Sequence, residues 1–280
     1  MFTPASIPFL MPRNYPRAAL LASIVFAGWP LSDAFLRLAA QNGIPPYEVL
    51  MLCGFGSVLS IFFVCALRRK MENLRPRNPK GLVFLGLLQM IGFYCWMCAL
   101  PCLPLSNMFV ISFLTPMTVA CFAALFLKEA LGWKRGIAIA LGFVGVVIAI
   151  DPTTLSLRSD SSLPYIFLVA NMLCAAAQMF LLRLVAQKEP SESSALYSRA
   201  ILGIGGLSLC LVFGFIPVKP LIFLALCASS VLGGLGWTLL AEAYKHAPAA
   251  AVAPFQYTQM IWGALIGYLV WDERPSSYLL

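Results

Sequence analysis

The sequence predicts an all-α polytopic membrane protein of two inverted-topology five-helix repeats, with nine spans present and a tenth cut off at the C-terminus. Three observations carry this expectation. Of the 280 residues, 61% are hydrophobic and only 11% charged, with mean hydropathy +0.87; soluble domains run about 45–50% apolar and about 25% charged. The apolar residues gather in runs long enough to cross a bilayer, which takes roughly 17–25 residues per helix. Shifted by 144 residues, the span pattern superimposes on itself.

The spans fall at approximately 17–40, 47–67, 80–100, 104–127, 132–150, 164–187, 193–215, 219–244 and 248–271. The first follows Arg13 and Arg17 and is too long for a cleaved signal peptide. It stops at Asn42-Gly43 and Pro45-Pro46, and the second stops at the basic stretch Arg68 to Lys80. Pro101 closes the third, Asp151-Pro152 the fifth, Glu189-Pro190 the sixth, Pro217 the seventh and Pro248 the eighth. Short connections make neighbouring helices antiparallel. The runs are continuous rather than alternating, which excludes a β-barrel.

Lys and Arg set the orientation. With the N-terminus inside, 15 of the 19 lie in inside segments. Arg158, Lys219 and Arg274 lie outside, and Arg37 lies within the first span. The expectation is an integral protein of the cytoplasmic (inner) membrane with a cytoplasmic N-terminus. Residues 1–16 form a cytoplasmic segment, 17–150 the first repeat, 151–163 an external linker and 164–280 the second repeat. Gly92 matches Gly236, Ala99 matches Ala243, Pro104 matches Pro248 and Glu129 matches Glu273. Five spans per repeat is an odd number, so the second copy enters upside down. Inverted repeats mark secondary transporters, with the solute site near the midplane between them. By the same shift a tenth span is expected at about 276–294, and the chain stops at Leu280.

Composition narrows the chemistry. There is one histidine, His246, so a site of two or three histidine ligands is ruled out. Nine cysteines fall almost all within spans; Cys95, Cys98 and Cys102 form one helical stripe, and no second CxxC completes a four-ligand zinc site. They read as polarizable packing residues. No metal, no cofactor and no enzymatic centre is expected. The net charge of +8 lies in short loops, as an insertion signal, and implies no nucleic-acid partner.

Two stretches carry a resemblance. The first reads PLSNMFVISFLTPMTVACFAALFLKEALGWKRGIAIALGFVGVVIAI and the second APAAAVAPFQYTQMIWGALIGYLVWDERPSS. They resemble the two signature segments of EamA-type members of the drug/metabolite transporter (DMT) superfamily, over nearly the whole chain. The resemblance implies ten helices in two inverted repeats, both termini cytoplasmic, alternating access, and export or exchange of small metabolites such as amino acids. SDAFLRLA and PPYEVLMLCG look most like the branch of S-adenosylmethionine carriers. Members of that branch have an acidic residue followed four positions on by a basic one, as at Asp33 and Arg37. They also have an arginine where this chain has Cys53.

Charges inside a membrane are costly and usually face the bundle interior. Asp33 and Arg37, at i and i+4, share a helix face and are expected to pair; Trp29 continues the stripe one turn earlier. They form either a zwitterion-binding or gating site, with Asp33 as proton acceptor, or a structural ion pair. Glu242 is either a second coupling carboxylate or a helix-end charge paired with Lys245. Mid-span polar and aromatic residues are candidate cavity lining or interhelical glue: Gln89, Tyr94, Trp96, Asn107, Asn171, Gln178, Trp237, Tyr257 and Gln259. Pro116 and Pro254 free backbone carbonyls and are candidate hinges or static kinks. GxxxG at Gly132/Gly136 and Gly263/Gly267, with the cluster Gly233, Gly234 and Gly236, permits close packing within the chain or a homodimer.

The expected function is secondary active transport, as exporter or exchanger, of a small polar or zwitterionic metabolite such as an amino acid or S-adenosylmethionine-like compound. The alternative is a lipid or glycolipid flippase on the same fold. The expected partners are a small-molecule metabolite and the lipid bilayer.

Overall fold

Proline placement sets most of the helix starts. In the computed structural model, which describes residues 14–103, 108, 111–127, 162–247 and 252–272, Pro16, Pro46, Pro79, Pro164 and Pro220 each occupy the first or second position of a helix. A missing N–H costs nothing there and the fixed φ suits the first turn. The helices are α1 (Tyr15–Gln41), α2 (Pro46–Leu67), α3 (Pro79–Ala99), α4 (Leu114–Leu127), α5 (Leu163–Ala186), α6 (Ser191–Phe213), α7 (Pro220–His246) and α8 (Thr258–Trp271). Short 3-10 turns, Met71–Leu74 and Ala253–Tyr257, precede α3 and α8. Gly43 (φ 78°) and Gly214 (φ 92°) end α1 and α6 in a conformation that favours glycine.

Among the described residues, α1, α2, α3, α5, α6 and α7 are long and apolar enough to cross a membrane. Their bounds match the expected spans to within about two residues, while α4 and α8 are shorter apolar helices. The fifth span, most of the linker, the tenth span, Asn107, Glu129, Glu273 and the Gly132/Gly136 motif lie outside the described residues. Outer faces present Phe62, Phe63, Leu211, Val212, Leu221 and Leu269 to the surroundings, as a hydrocarbon solvent allows.

Packing is ordered by helix pair. α1 lies against α7, α2 against α6 and α3 against α5; α2 also touches α7, α3 touches α6, α1 touches α8 and α4 touches α5. The α2–α6 crossing is glycine-mediated. A Cβ on Gly54 would stand 2.3 Å from the Gly203 nitrogen, and one on Gly206 2.3 Å from the Met51 nitrogen. Serines bind α7 to its neighbours: Ser32 Oγ and Ser229 Oγ are 2.8 Å apart, and Ser57 Oγ donates to the Ser230 carbonyl at 2.8 Å. Such small polar contacts substitute for the hydrophobic drive that helices lack in lipid.

The buried apolar residues form two clusters, one toward each end of the bundle. One holds Ala22 and Phe26 of α1, Ile61 and Cys65 of α2, and Leu240 of α7. The other holds Leu36 and Ala39 of α1, Val49 and Leu50 of α2, and Ile222 and Leu226 of α7. Between them lies a polar waist.

Candidate functional site

The waist encloses a cavity of about 170 Å³. A single buried water needs about 10–15 Å³ on the same measure, so the space suits a solute of many atoms. α1 supplies Trp29, Ser32, Asp33 and Leu36, a stripe at i, i+3, i+4 and i+7 that faces one way on a helix. α3 adds Gln89 and Trp96, α5 Asn171 and Gln178, α6 Arg199, and α7 Ser229 and Trp237. Gln256 and Gln259 reach in from the 3-10 turn and α8.

Two charges line this space. Arg199 sits two turns into α6 and is only 6% exposed. Its Nη2 donates to the Gly233 carbonyl at 3.1 Å, while its Nε has no hydrogen-bond partner among the described residues. Gly233 makes room for it, because a Cβ there would lie 3.2 Å from Nη2. Asp33, on α1, faces the same cavity with the Trp96 side chain beside its carboxylate. Among the described residues neither Asp33 nor Arg199 has an ion-pair partner, and they do not pair with each other. An ion buried without a counter-charge costs several kcal/mol.

Aromatic faces and open amides complete the lining. Trp29 stacks on Trp237, ring centroids 6.4 Å apart and planes inclined 20°, and Phe26 meets Trp29 edge-on at 5.4 Å. Gln89 Oε1, Gln178 Nε2 and Gln256 Oε1 are buried with no partner among the described residues. Asn171 is committed, donating from Nδ2 to the Gly92 carbonyl at 2.9 Å.

Of the residues expected to meet a solute, Trp29, Asp33, Trp96, Asn171, Gln178, Trp237 and Gln259 come together here. Arg37, Tyr94 and Tyr257 do not. The Arg37 guanidinium lies over the Trp271 ring, 4.7 Å from its centroid, and forms no ion pair with Asp33. Its guanidinium meets α8 and is absent from the cavity lining. Tyr94 packs against the apolar cluster of Leu36 and Leu50, and Tyr257 packs on Phe113 at 5.1 Å while staying 41% exposed. Pro116 is the third residue of α4, where a helix loses no hydrogen bond to proline. Pro254 lies in the 3-10 turn ahead of α8. Gly263 and Gly267 are buried within the chain.

Glu242 lies well outside the waist. It accepts from Ser191 Oγ at 2.9 Å and meets His246 Nε2 at 3.2 Å, Lys245 Nζ at 3.5 Å and Arg17 Nη2 at 3.7 Å. This cluster ties α1, α6 and α7 together beside a second cavity of about 760 Å³. That cavity gathers Arg17, Arg68, Arg77, Gln187, Ser191 and Glu242. The starts of α1, α3 and α6 and the ends of α2, α5 and α7 therefore share one end of the bundle. Nearby, Glu189 accepts from the backbone N–H of Arg77 at 2.8 Å and from that of Asn78.

Sequence reasoning missed Arg199 and Gln256. A count of Lys and Arg assigns Arg199 to the inside loop, yet its depth in α6 removes it from that tally, leaving 14 inside against 3 outside. The available signal was its place six residues inside the seventh expected span, 193–215.

Comparison with known proteins gives a consistent family. The model described as the EamA-like transporter family matches residues 16–150 and 162–280. An S-adenosylmethionine uptake transporter of Rickettsia bellii is 26% identical over 81% of this chain and 75% of its own. The pseudopaline exporter of Pseudomonas aeruginosa is 23% identical over 92% and 88% of the two chains. A riboflavin transporter of Rhizobium johnstonii is 26% identical over 81% and 73%. A protein of known crystal structure aligns with a TM-score of 0.72 over 94% of this chain and 91% of its own, at 18% identity, which shows a shared fold.

Proposed function

This chain belongs to the EamA-like transporter family, and on that premise we propose that it carries a small polar or zwitterionic metabolite across the bilayer by alternating access. It is a small-molecule transporter embedded in the membrane, not an enzyme. The solute, an amino acid or an S-adenosylmethionine-like compound, is held in the waist cavity. Gradients of solute or ion drive its export or exchange, since nothing in the sequence resembles an ATP-binding motif.

The observation that carries this assignment is the placement of a charged, amide-lined waist between two apolar clusters along the same helices. On α1, residues 18–26 belong to one cluster and 36–39 to the other, with Trp29 and Asp33 between. Opening one cluster at a time would expose the waist to one side at a time.

Two inverted repeats supply the moving halves. Under exchange of α1 with α5, α2 with α6, α3 with α7 and α4 with α8, the contact α1–α7 maps onto α5–α3. Likewise α2–α7 maps onto α6–α3, α1–α8 onto α5–α4, and α2–α6 onto itself. The antiparallel run of α1 and α5 supports the inversion. The Lys and Arg bias supports a cytoplasmic side for the shared end with Arg17 and Arg68, in what we read as an inner membrane. A lipid flippase would need an apolar route open to the bilayer, and the polar waist favours a soluble solute.

Proteoliposomes holding the full chain test this without ATP. Counterflow of labelled S-adenosylmethionine or L-methionine at least tenfold above empty liposomes is expected. Scrambling of a fluorescent lipid with no solute counterflow would contradict the assignment and select the flippase.

A further inference from the structure

We propose that the waist cavity holds its solute as a zwitterion, with the Arg199 guanidinium taking the anionic group and the Asp33 carboxylate the cationic one. The proposal rests on the transport assignment above and adds which charges the solute carries and what receives each.

Both side chains line one cavity, and neither has a counter-ion among the described residues. Arg199 is 94% buried by its 6% exposure, on a helix with no carboxylate against its side chain. The Gly233 carbonyl takes only one of its five donors. The Nε, buried and without a partner among the described residues, belongs to the planar fork that binds a carboxylate through two parallel hydrogen bonds. Asp33 lines the same wall as Trp29, with the Trp96 side chain beside its carboxylate, so an ammonium there gains from the carboxylate and from an aromatic lining that tolerates cations. A solute with a single charge would compensate one of the two and leave the other buried and unpaired. A zwitterion compensates both.

The two charges sit on different halves of the chain, Asp33 on α1 and Arg199 on α6. A bound zwitterion therefore bridges the halves. That gives the solute a grip on both bodies that alternating access must move.

The test measures binding by calorimetry to the full chain in lipid nanodiscs. S-adenosylmethionine and L-methionine are paired with their carboxylate-free analogues, decarboxylated S-adenosylmethionine and L-methioninamide. Arg199→Gln should weaken both zwitterions at least tenfold and change the carboxylate-free compounds less than twofold; Arg199→Lys should recover part of the loss. Asp33→Asn should weaken all four, because all carry the ammonium. Removing an uncompensated charge should leave the ligand-free melting temperature of Arg199→Gln unchanged or higher. Equal weakening of all four compounds by Arg199→Gln, or no weakening, would overturn the proposal while transport stands. A lowered ligand-free melting temperature that Arg199→Lys restores, with affinities intact, would assign Arg199 to structure and also overturn it. Binding of none of the four by wild type would overturn the transport assignment and this proposal with it.

Discussion

Trp29 stacks on Trp237 across the α1–α7 contact, and Gly236 is what admits it: a Cβ on Gly236 would lie 2.7 Å from Trp29 Nε1. That is closer than two such atoms approach without something moving. The indole is rigid and is held edge-on by Phe26, so the wall of the cavity moves instead of a loose side-chain end. Gly236→Ala should weaken solute binding about tenfold and cost about 1–3 kcal/mol of stability, as overpacking does. Calorimetry and thermal melting in nanodiscs check the two numbers. Unchanged affinity would separate the tryptophan pair from the solute.

The α2–α6 crossing is less forgiving, because the atoms met there are backbone. Gly54→Ala and Gly206→Ala should each destabilise the fold by about 3 kcal/mol or more, at the upper end of overpacking costs. Gly43→Ala is the control. Nothing lies within 4 Å of its added Cβ, and only its positive φ is strained, for about 1 kcal/mol. Melting temperatures that rank Gly43→Ala below the other two in damage are expected.

Three glutamines offer the waist unused hydrogen-bonding atoms: Gln89 Oε1, Gln178 Nε2 and Gln256 Oε1. Leaving a buried polar atom unpaired costs about 1–3 kcal/mol, so the cavity is poised for a polar occupant. Gln178→Leu should therefore keep or raise ligand-free stability while weakening solute binding about three- to tenfold. A loss of stability with no loss of affinity would mean that the amide serves the helix packing.

Glu242 joins four partners at one end of the bundle, yet its ion pairs are part-exposed, with side-chain exposures of 30% for Glu242 and 58% for Arg17. Pairs of this kind contribute about 0–1 kcal/mol each. Glu242→Gln should lower stability by about 1 kcal/mol and shift solute affinity less than twofold, since Glu242 stands away from the waist. If it couples protons, the pH dependence of counterflow disappears in this variant while binding persists. A tenfold loss of affinity would contradict its placement.

Six of the expected spans, those of α1–α3 and α5–α7, were legible in the sequence because apolar length and proline position are local properties. Pro46, Pro79 and Pro220 mark helix starts wherever they stand in the fold. Much of the site was legible too: Trp29, Asp33, Trp96, Gln178 and Trp237 are polar or aromatic residues deep in apolar runs. Arg199 was not. It lies inside the expected span 193–215, but the Lys and Arg count groups it with the inside segment of Arg183 and Lys188, which hides its depth. The pairing of Asp33 with Arg37 failed for a related reason. An i, i+4 spacing fixes a shared face but not the reach of an arginine, and Arg37 extends to Trp271. Cys53 shows the same limit. Cys53 departs from the arginine that S-adenosylmethionine carriers have at that position of α2, and in the fold the guanidinium near Cys53 comes from Arg199 on α6.

Cys53 also offers the most direct test of the central claim, because it is buried, at 2% exposure, and lines the waist. With the other eight cysteines replaced, the rate at which a small methanethiosulfonate reagent modifies Cys53 reports access to that cavity. S-adenosylmethionine or L-methionine, whichever shows counterflow, is expected to slow modification at least fivefold at saturating concentration. Modification at an unchanged rate, with counterflow intact, would place the solute outside the waist and overturn its assignment there.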